Sequence, residues 1–307
     1  MAVSESSNLS LNGQKIIKGA MRSIGVLGKG ETMSDDDQAD ALEALELMVK
    51  SWVADGANLW TLSEATLFLT AGTASYSLPG SRAVSSYVET ATSAAASSSA
   101  TSITVDSITG IADNDVLGIQ VDSDTMHWTT VNGTPSGSTI NFDDALTADV
   151  DDDAKVYAYA TTSLIVRPLK IISVRRYHDG AETPVSRLSR DEYFNLSQKA
   201  TSSIVTQYYY DPSRATGVLY VWKPSDNVND LLKFTWRRPV YDFDSVSNDP
   251  DFPQEWLETF KYNLAVRIAP EYGVEPPRVV IAMATSLYDK LLTWDNEDAS
   301  IYFQPGR

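Results

Sequence analysis

The sequence predicts an α+β protein: a helical bundle core formed by N- and C-terminal helices, central antiparallel β structure, and an inserted small β domain. Three observations carry this expectation. Apolar residues recur every three to four positions near both ends of the 307-residue chain and alternate with polar ones between. Residues 83–154 hold no Lys or Arg but twelve acids, so −12 of the formal net charge of −17 sits in one stretch. Turn pairs such as Asn132-Gly133 and Ser136-Gly137 cut that stretch into short runs, as in a small antiparallel β unit.

The elements follow in order. Ile16, Ile17, Ala20, Met21, Ile24 and Leu27 lie on one helical face, with Gly28 as the expected stop. Ser34 or Asp35 can cap a second helix, whose first turn carries Asp35, Asp36 and Asp37 where the helix dipole favours negative charge. Its apolar face is Leu42, Leu45, Met48, Val49, Trp52 and Val53, and Gly56 ends it. Residues 1–62 are thus expected to form a helical hairpin. Residues 63–82 and 161–250 form the expected central β region. In it, Leu67-Phe68-Leu69 and Tyr76-Ser77-Leu78 flank Ala71-Gly72 as a hairpin. Further strands are expected around 164–166, 171–174, 207–210, 218–222 and 231–236, and Ser189 with Glu192 has capping-box spacing.

Residues 83–160 are the expected inserted acidic domain. Its strands are expected near 102–106, 116–121, 126–131, 139–142 and 155–159, and alternation puts Tyr157 and Tyr159 on one face. Residues 251–294 return to helical spacing after Pro253, with Trp256, Leu257, Phe260, Leu264 and Ile268 on one face and a break from Pro270 to Pro277. A last helix carries Val280, Met283, Ala284, Leu287 and Leu291. An extended tail, 295–307, places Ile301, Tyr302 and Phe303 together in a polar setting, which marks them, with Trp294, as a partner interface.

Composition narrows the chemistry. Without cysteine there is no disulfide framework, thiolate metal site or cysteine nucleophile. Two histidines, His127 and His178, leave little for a histidine-rich metal centre. A net charge of −17 argues against a protein whose main task is neutralising phosphates. No apolar run approaches the roughly 20 residues of a membrane span. Met1 to Gln14 show no basic-then-apolar signal pattern, so the chain is expected to stay in the compartment where it is made. The Asn-x-Ser/Thr triplets at Asn8, Asn132 and Asn195 are then incidental.

No catalytic, cofactor or metal pattern stands out. Gly25 to Thr32 departs from a phosphate loop because Lys29 is followed by Gly30 and a helix precedes it. Counted from Asp149, a calcium loop would need Gly and Glu where Ala154 and Ala160 stand. His127 lies in an alternating strand, and His178 precedes the turn signal Asp179-Gly180. Two basic pairs, Arg175-Arg176 and Arg237-Arg238, are candidate polar-interface or DNA-channel contacts, with ion pairing inside an acidic protein as the alternative.

Several segments together resemble one family. They are Gly28 to Thr32 running into Ala39 to Leu47, Ser51 to Gly56, Arg167 to Ile171, Ser189 to Tyr193, Gly217 to Trp222, Asp251 to Leu257, and Tyr262 to Gly273. In their order along the chain they resemble the head-to-tail adaptor proteins of tailed bacteriophages, the tail accessory or packaged-DNA stabilisation factors of short-tailed phages. The compact versions of that family lack the stretch 83–160.

The resemblance implies a virion protein at the head–tail junction, assembled in the bacterial cytoplasm. It also implies a ring, typically of twelve copies, under the portal protein ring. Such a ring extends the DNA channel, helps retain the packaged genome and docks the tail nozzle or tube. Double-stranded DNA would pass without sequence recognition, and no cofactor, membrane or enzymatic activity is expected. The inserted domain is expected to project away from the channel, where screening beyond a Debye length of ~8 Å makes its charge cheap. Two rival readings remain: a carbohydrate- or cell-surface-binding virion module using Trp128, Tyr157 and Tyr159, and a carboxylate-dependent cell-wall hydrolase.

Overall fold

The computed structural model describes residues 9–55, 59–122 and 125–294. The chain is mixed α+β and divides into two compact units, residues 1–61 with 240–307, and residues 62–239. Its helices are α1 (Gly13–Ser23), α2 (Asp35–Asp55), α3 (Arg190–Asn195), α4 (Leu257–Ile268) and α5 (Arg278–Trp294).

In the first unit, local sequence fixes where helices start and stop. The Asn12 side chain accepts from the Lys15 amide at 3.1 Å and opens α1. Gly25, at φ +79°, closes it: Val26 N–H bonds Met21 C=O at 3.1 Å and Gly25 N–H bonds Arg22 C=O at 3.2 Å. This pair of bonds is the Schellman motif, so α1 ends before Leu27 and Gly28, earlier than its apolar spacing predicts. Ser34 opens α2, its Oγ accepting from the Asp37 amide at 3.1 Å and donating to the Asp37 carboxylate at 2.5 Å. This bond and one from the Tyr272 hydroxyl hold the Asp37 carboxyl below its usual range.

Residues of α1, α2, α4 and α5 share one apolar cluster that includes Ile17, Met21, Leu45, Met48, Trp52, Trp256, Phe260 and Leu264. Trp52 lies 5.3 Å from Phe260, 5.8 Å from Trp256 and 5.0 Å from Tyr288. Val240 and Phe243 join this cluster, so residues 240–250 belong with the helices and the β region stops at 239 rather than 250. Backbone bonds from Gly13 to Asn248 and from Gln14 to Val246 fasten that segment to the start of α1.

The second unit holds the strands β1 (Leu62–Phe68), β2 (Ser75–Leu78), β3 (Ala83–Val84), β4 (Val88–Ala91), β5 (Ser102–Thr104), β6 (Val116–Val121) and β7 (Thr125–Thr130). They continue as β8 (Thr139–Asn141), β9 (Lys155–Tyr159), β10 (Lys170–His178), β11 (Ala181–Arg187), β12 (Gln207–Asp211), β13 (Gly217–Trp222) and β14 (Leu231–Arg237). Eight strands run in the order β2-β13-β12-β11-β10-β14-β1-β3. The turn between β10 and β11 has Asp179 and Gly180 both at positive φ, 43° and 81°, as a two-residue hairpin requires. The parallel step from β11 to β12 needs a crossover, and Leu188 to Thr206, with α3, supplies it.

Two local expectations fail. β1 and β2 do not form a hairpin: β1 pairs with β14 and β3, and β2 pairs with β13 at the far end of the strand order. The short link is still compatible because the sheet folds over on itself. Residues from both halves, among them Ala65, Leu67, Val174, Phe234, Tyr208, Leu219, Tyr76 and Leu78, meet in one core. Leu164-Ile165-Val166 forms no strand; only Leu164 makes an isolated bridge, to Val84.

The acidic stretch builds a four-stranded sheet, β4-β9-β6-β7, and a two-stranded one, β5-β8. β9 is buried on both faces. Val156 and Ala158 enter the stretch's own core with Leu117, Ile119 and Ile140. Tyr157 and Tyr159 pack instead with Phe68, Val84 and Leu231 of the eight-stranded sheet. The insertion is therefore one compact unit with its host, residues 62–239.

Gly118 lies across from Trp128, and a Cβ there would stand 2.6 Å from the indole. Gly118→Ala is expected to destabilise the protein by roughly 1–3 kcal/mol through overpacking. Urea unfolding would check this, and an unchanged midpoint would contradict it.

Candidate assembly surfaces

A polar cluster in the second unit surrounds Asp230, which is fully buried just before β14. Arg176 of β10 reaches it with two parallel bonds, Nε to Oδ2 and Nη2 to Oδ1, both 2.7 Å. Ser225 Oγ donates to Oδ2 at 2.9 Å, and His178 Nδ1 stands 2.9 Å from Oδ1. The order is serine–carboxylate–imidazole, so the hydroxyl bonds the carboxylate, already engaged by Arg176, and not the imidazole. Ser225 is itself fully buried. This arrangement holds a charge pair in place and offers no activated nucleophile.

Neighbouring Arg175 points to the other face of the strand. Its Nη2 bonds Glu64 at 2.7 Å and its Nε lies 2.9 Å from Glu182, which Lys233 also approaches at 3.1 Å. Hydrogen bonding from Lys233 and the nearby cationic charges hold the Glu182 carboxyl below its usual range. Both arginines of this candidate pair are thus engaged inside the unit, and Arg176 is mostly buried against Asp230.

Arg237 and Arg238 sit at the end of β14. Arg237 pairs with Lys170 across β10, whereas Arg175 pairs with Lys233. Lys233 and Arg237 are four positions apart on β14, so the two basic pairs stand roughly 13 Å apart along the sheet. Among the described residues Arg237 Nε is buried without a hydrogen-bond partner, and Arg238 Nη1 bonds Pro239 C=O at 3.2 Å.

Of the aromatic residues suggested for sugars, Tyr157 and Tyr159 are core, whereas Trp128 is partly buried and lines an open groove with Arg82, Thr125 and Met126. Tyr157 and Tyr159 are buried, and Phe68 contacts both and Trp128, with ring centroids 5.1, 5.8 and 5.3 Å away. Burial pushes the Tyr157 and Tyr159 hydroxyls up. Arg82 stacks over the Trp128 ring at 4.4 Å. His127 is buried, with Nε2 3.0 Å from the Asp144 carbonyl.

Asp122, Asp151, Asp152 and Asp153 line one open groove. Desolvation and the charges of Asp151 and Asp149 hold the Asp122 carboxyl above its usual range. Among the described residues no three metal-ligating side chains gather, and no helix is long and apolar enough to cross a membrane. Ile301, Tyr302, Phe303 and the side chain of Trp294 lie outside the described residues.

The sequence reading did not single out the outer faces of α1 and α2. Lys15, Lys18 and Arg22 share the face of α1 opposite its buried Ile16, Ile17, Ala20 and Met21. On α2, Asp36, Asp40, Glu43 and the exposed Leu47 stand opposite Ala41, Leu45, Met48 and Trp52. Helical spacing is the signal that reveals them, since it sets the polar face of each helix as well as the apolar one.

Residues 242–301 match the family model described as the P22 tail accessory factor. The match spans α4, α5 and the segment leading into them, about a fifth of the chain. No curated protein matches the chain. The similarity supports a short-tailed phage family, a tail-related structural role and a place in the virion.

Proposed function

We propose that this protein is a head-to-tail adaptor of a short-tailed phage. Copies assemble as a ring under the portal ring, extend the DNA channel, help retain the packaged genome and dock the tail nozzle or tube. The observation that carries the reading is the match over 242–301, because it falls on the helices that share an apolar core with α1 and α2. In this reading the terminal helices form the bundle core of the ring. Trp294, Ile301, Tyr302 and Phe303 serve as the partner interface, and the acidic insertion projects away from the channel. A net charge of −17 suits a conduit that DNA crosses without sticking, since like charge lowers phosphate affinity.

Light scattering of the protein, alone and mixed with the phage's portal rings, tests this. The expected result is a defined mass gain on each portal ring, about twelve copies. Removing 295–307 is expected to weaken attachment while the far-ultraviolet circular dichroism stays the same. A full-length chain that leaves the portal mass unchanged would refute the reading.

A further inference from the structure

Resting on the adaptor reading for the existence of a ring, we propose the surfaces through which neighbouring copies join: the basic face of α1 on one copy seats against the acidic groove beside α2 on the next. Lys15, Lys18 and Arg22 form a cationic stripe with no acid in the helix. A fourth cation joins it, because Lys261 of α4 runs across Gly19, where a Cβ would stand only 3.3 Å from its Cδ. Among the described residues none of the four has an ion-pair partner.

The opposing surface has the complementary chemistry. Asp40, Glu43, Ala44, Leu47 and Glu271 line an open groove, with Asp36 one turn before it on the same helix face. Asp36, Asp40, Glu43 and Glu271 also lack ion pairs among the described residues. Leu47 is 56% exposed, an apolar contact point ringed by unpaired carboxylates. Other cations do hold acids within the chain: Lys50, Lys155, Arg175, Arg176, Arg190 and Lys233 each make an ion pair. Within one chain the α1 cations and the α2 acids form no ion pair with each other among the described residues.

Complementary but different faces on one chain define a heterologous contact, which propagates head to tail and closes into a ring when the rotation allows. A two-fold contact of either face with itself would bring like charges together, at a cost of several kcal/mol. The occupant of the groove is therefore a second copy of this chain.

The chain lacks cysteine, so a pair of introduced cysteines reports the contact cleanly. Lys18→Cys and Glu43→Cys in one chain, treated with a bismaleimide, are expected to give a ladder of dimers, trimers and larger species that fades at high salt. Charge reversal is the second arm. Lys15→Glu with Lys18→Glu and Arg22→Glu is expected to weaken self-association at least tenfold. Asp40→Lys with Glu43→Lys and Glu271→Lys should do the same, and mixing the two reversed proteins should restore it. Circular dichroism of each variant confirms folding. No ladder from a protein that still forms larger species, alone or on portal rings, overturns this interface and leaves the adaptor reading standing. A ladder indifferent to charge reversal overturns it too. A chain that stays monomeric under every condition, portal included, overturns both.

Discussion

Asp230→Ala is expected to destabilise the protein by about 3–5 kcal/mol, the usual cost of removing one partner from a buried ion pair. The carboxylate is fully buried and accepts two bonds from Arg176 and one from Ser225. Its loss leaves the Arg176 guanidinium, only 15% exposed, without a counter-charge. Replacing both partners with apolar residues, Asp230→Leu with Arg176→Met, is expected to recover much of the loss, because the penalty comes from the uncompensated charge. Urea unfolding supplies the magnitude. Peptide-resolved hydrogen exchange supplies the location, with β10 and β14 expected to lose protection first. A single variant within about 0.5 kcal/mol of the parent would show that water reaches Arg176 freely.

Trp256→Ala should have a comparable effect in the other unit, about 3–5 kcal/mol for a large buried aromatic replaced by a methyl group. Trp256 is 0% exposed. Its ring lies 5.8 Å from Trp52, 5.1 Å from Trp60 and 5.6 Å from Phe252. Its removal takes away the residue around which these rings pack. Among the described residues the indole N–H has no hydrogen-bond partner, so Trp256→Phe is expected to cost less than volume alone implies: an unsatisfied donor leaves with it. Near-ultraviolet circular dichroism and hydrogen exchange of α2 and α4 would read both variants. A Trp256→Phe loss equal to that of Trp256→Ala would contradict the argument.

The helices were legible because each carries a complete local message. α4 shows apolar spacing behind Pro253, and α3 shows Ser189 and Glu192 as a capping box, with both reciprocal bonds present. Most strand runs were legible for the same reason, as was the turn at Asp179-Gly180, but 164–166 reads as a strand and forms none, and β11, Ala-Glu-Thr-Pro-Val-Ser-Arg, shows no alternating apolar run. Partner choice was not legible. Ala71-Gly72 reads as a hairpin turn, yet β2 finds β13, whose Leu219 and Val221 share its core. No local signal encodes that pairing, because it depends on the whole sheet closing on one cluster. Ion pairing was a reading the sequence offered for Arg175 and Arg176, but the same limit hid which acids they meet. Side chains alternate across a strand, so one arginine met surface acids and the other met Asp230. In the sequence Asp230 looks like any of the other Asp and Glu residues, 41 in all. Distance in sequence also kept Lys261 apart from the α1 cations that Gly19 lets it join.

The helical unit is built from the two ends of the chain, with residues 62–239 lying between them. During synthesis this imposes a schedule. α1 and α2 emerge early, but Phe260, Leu264 and Trp256, which cover Met21, Leu45 and Trp52, are translated roughly two hundred residues later. At about 5–20 residues per second the leading helices wait on the order of 10–40 s with their apolar faces uncovered. The intervening unit can finish folding within that interval, since its last strand, β14, is complete by Arg237. Nascent chains of this protein are thus expected to depend on a holding factor until the ribosome has passed α4, and truncated products that stop short of it should aggregate through the orphaned faces of α1 and α2.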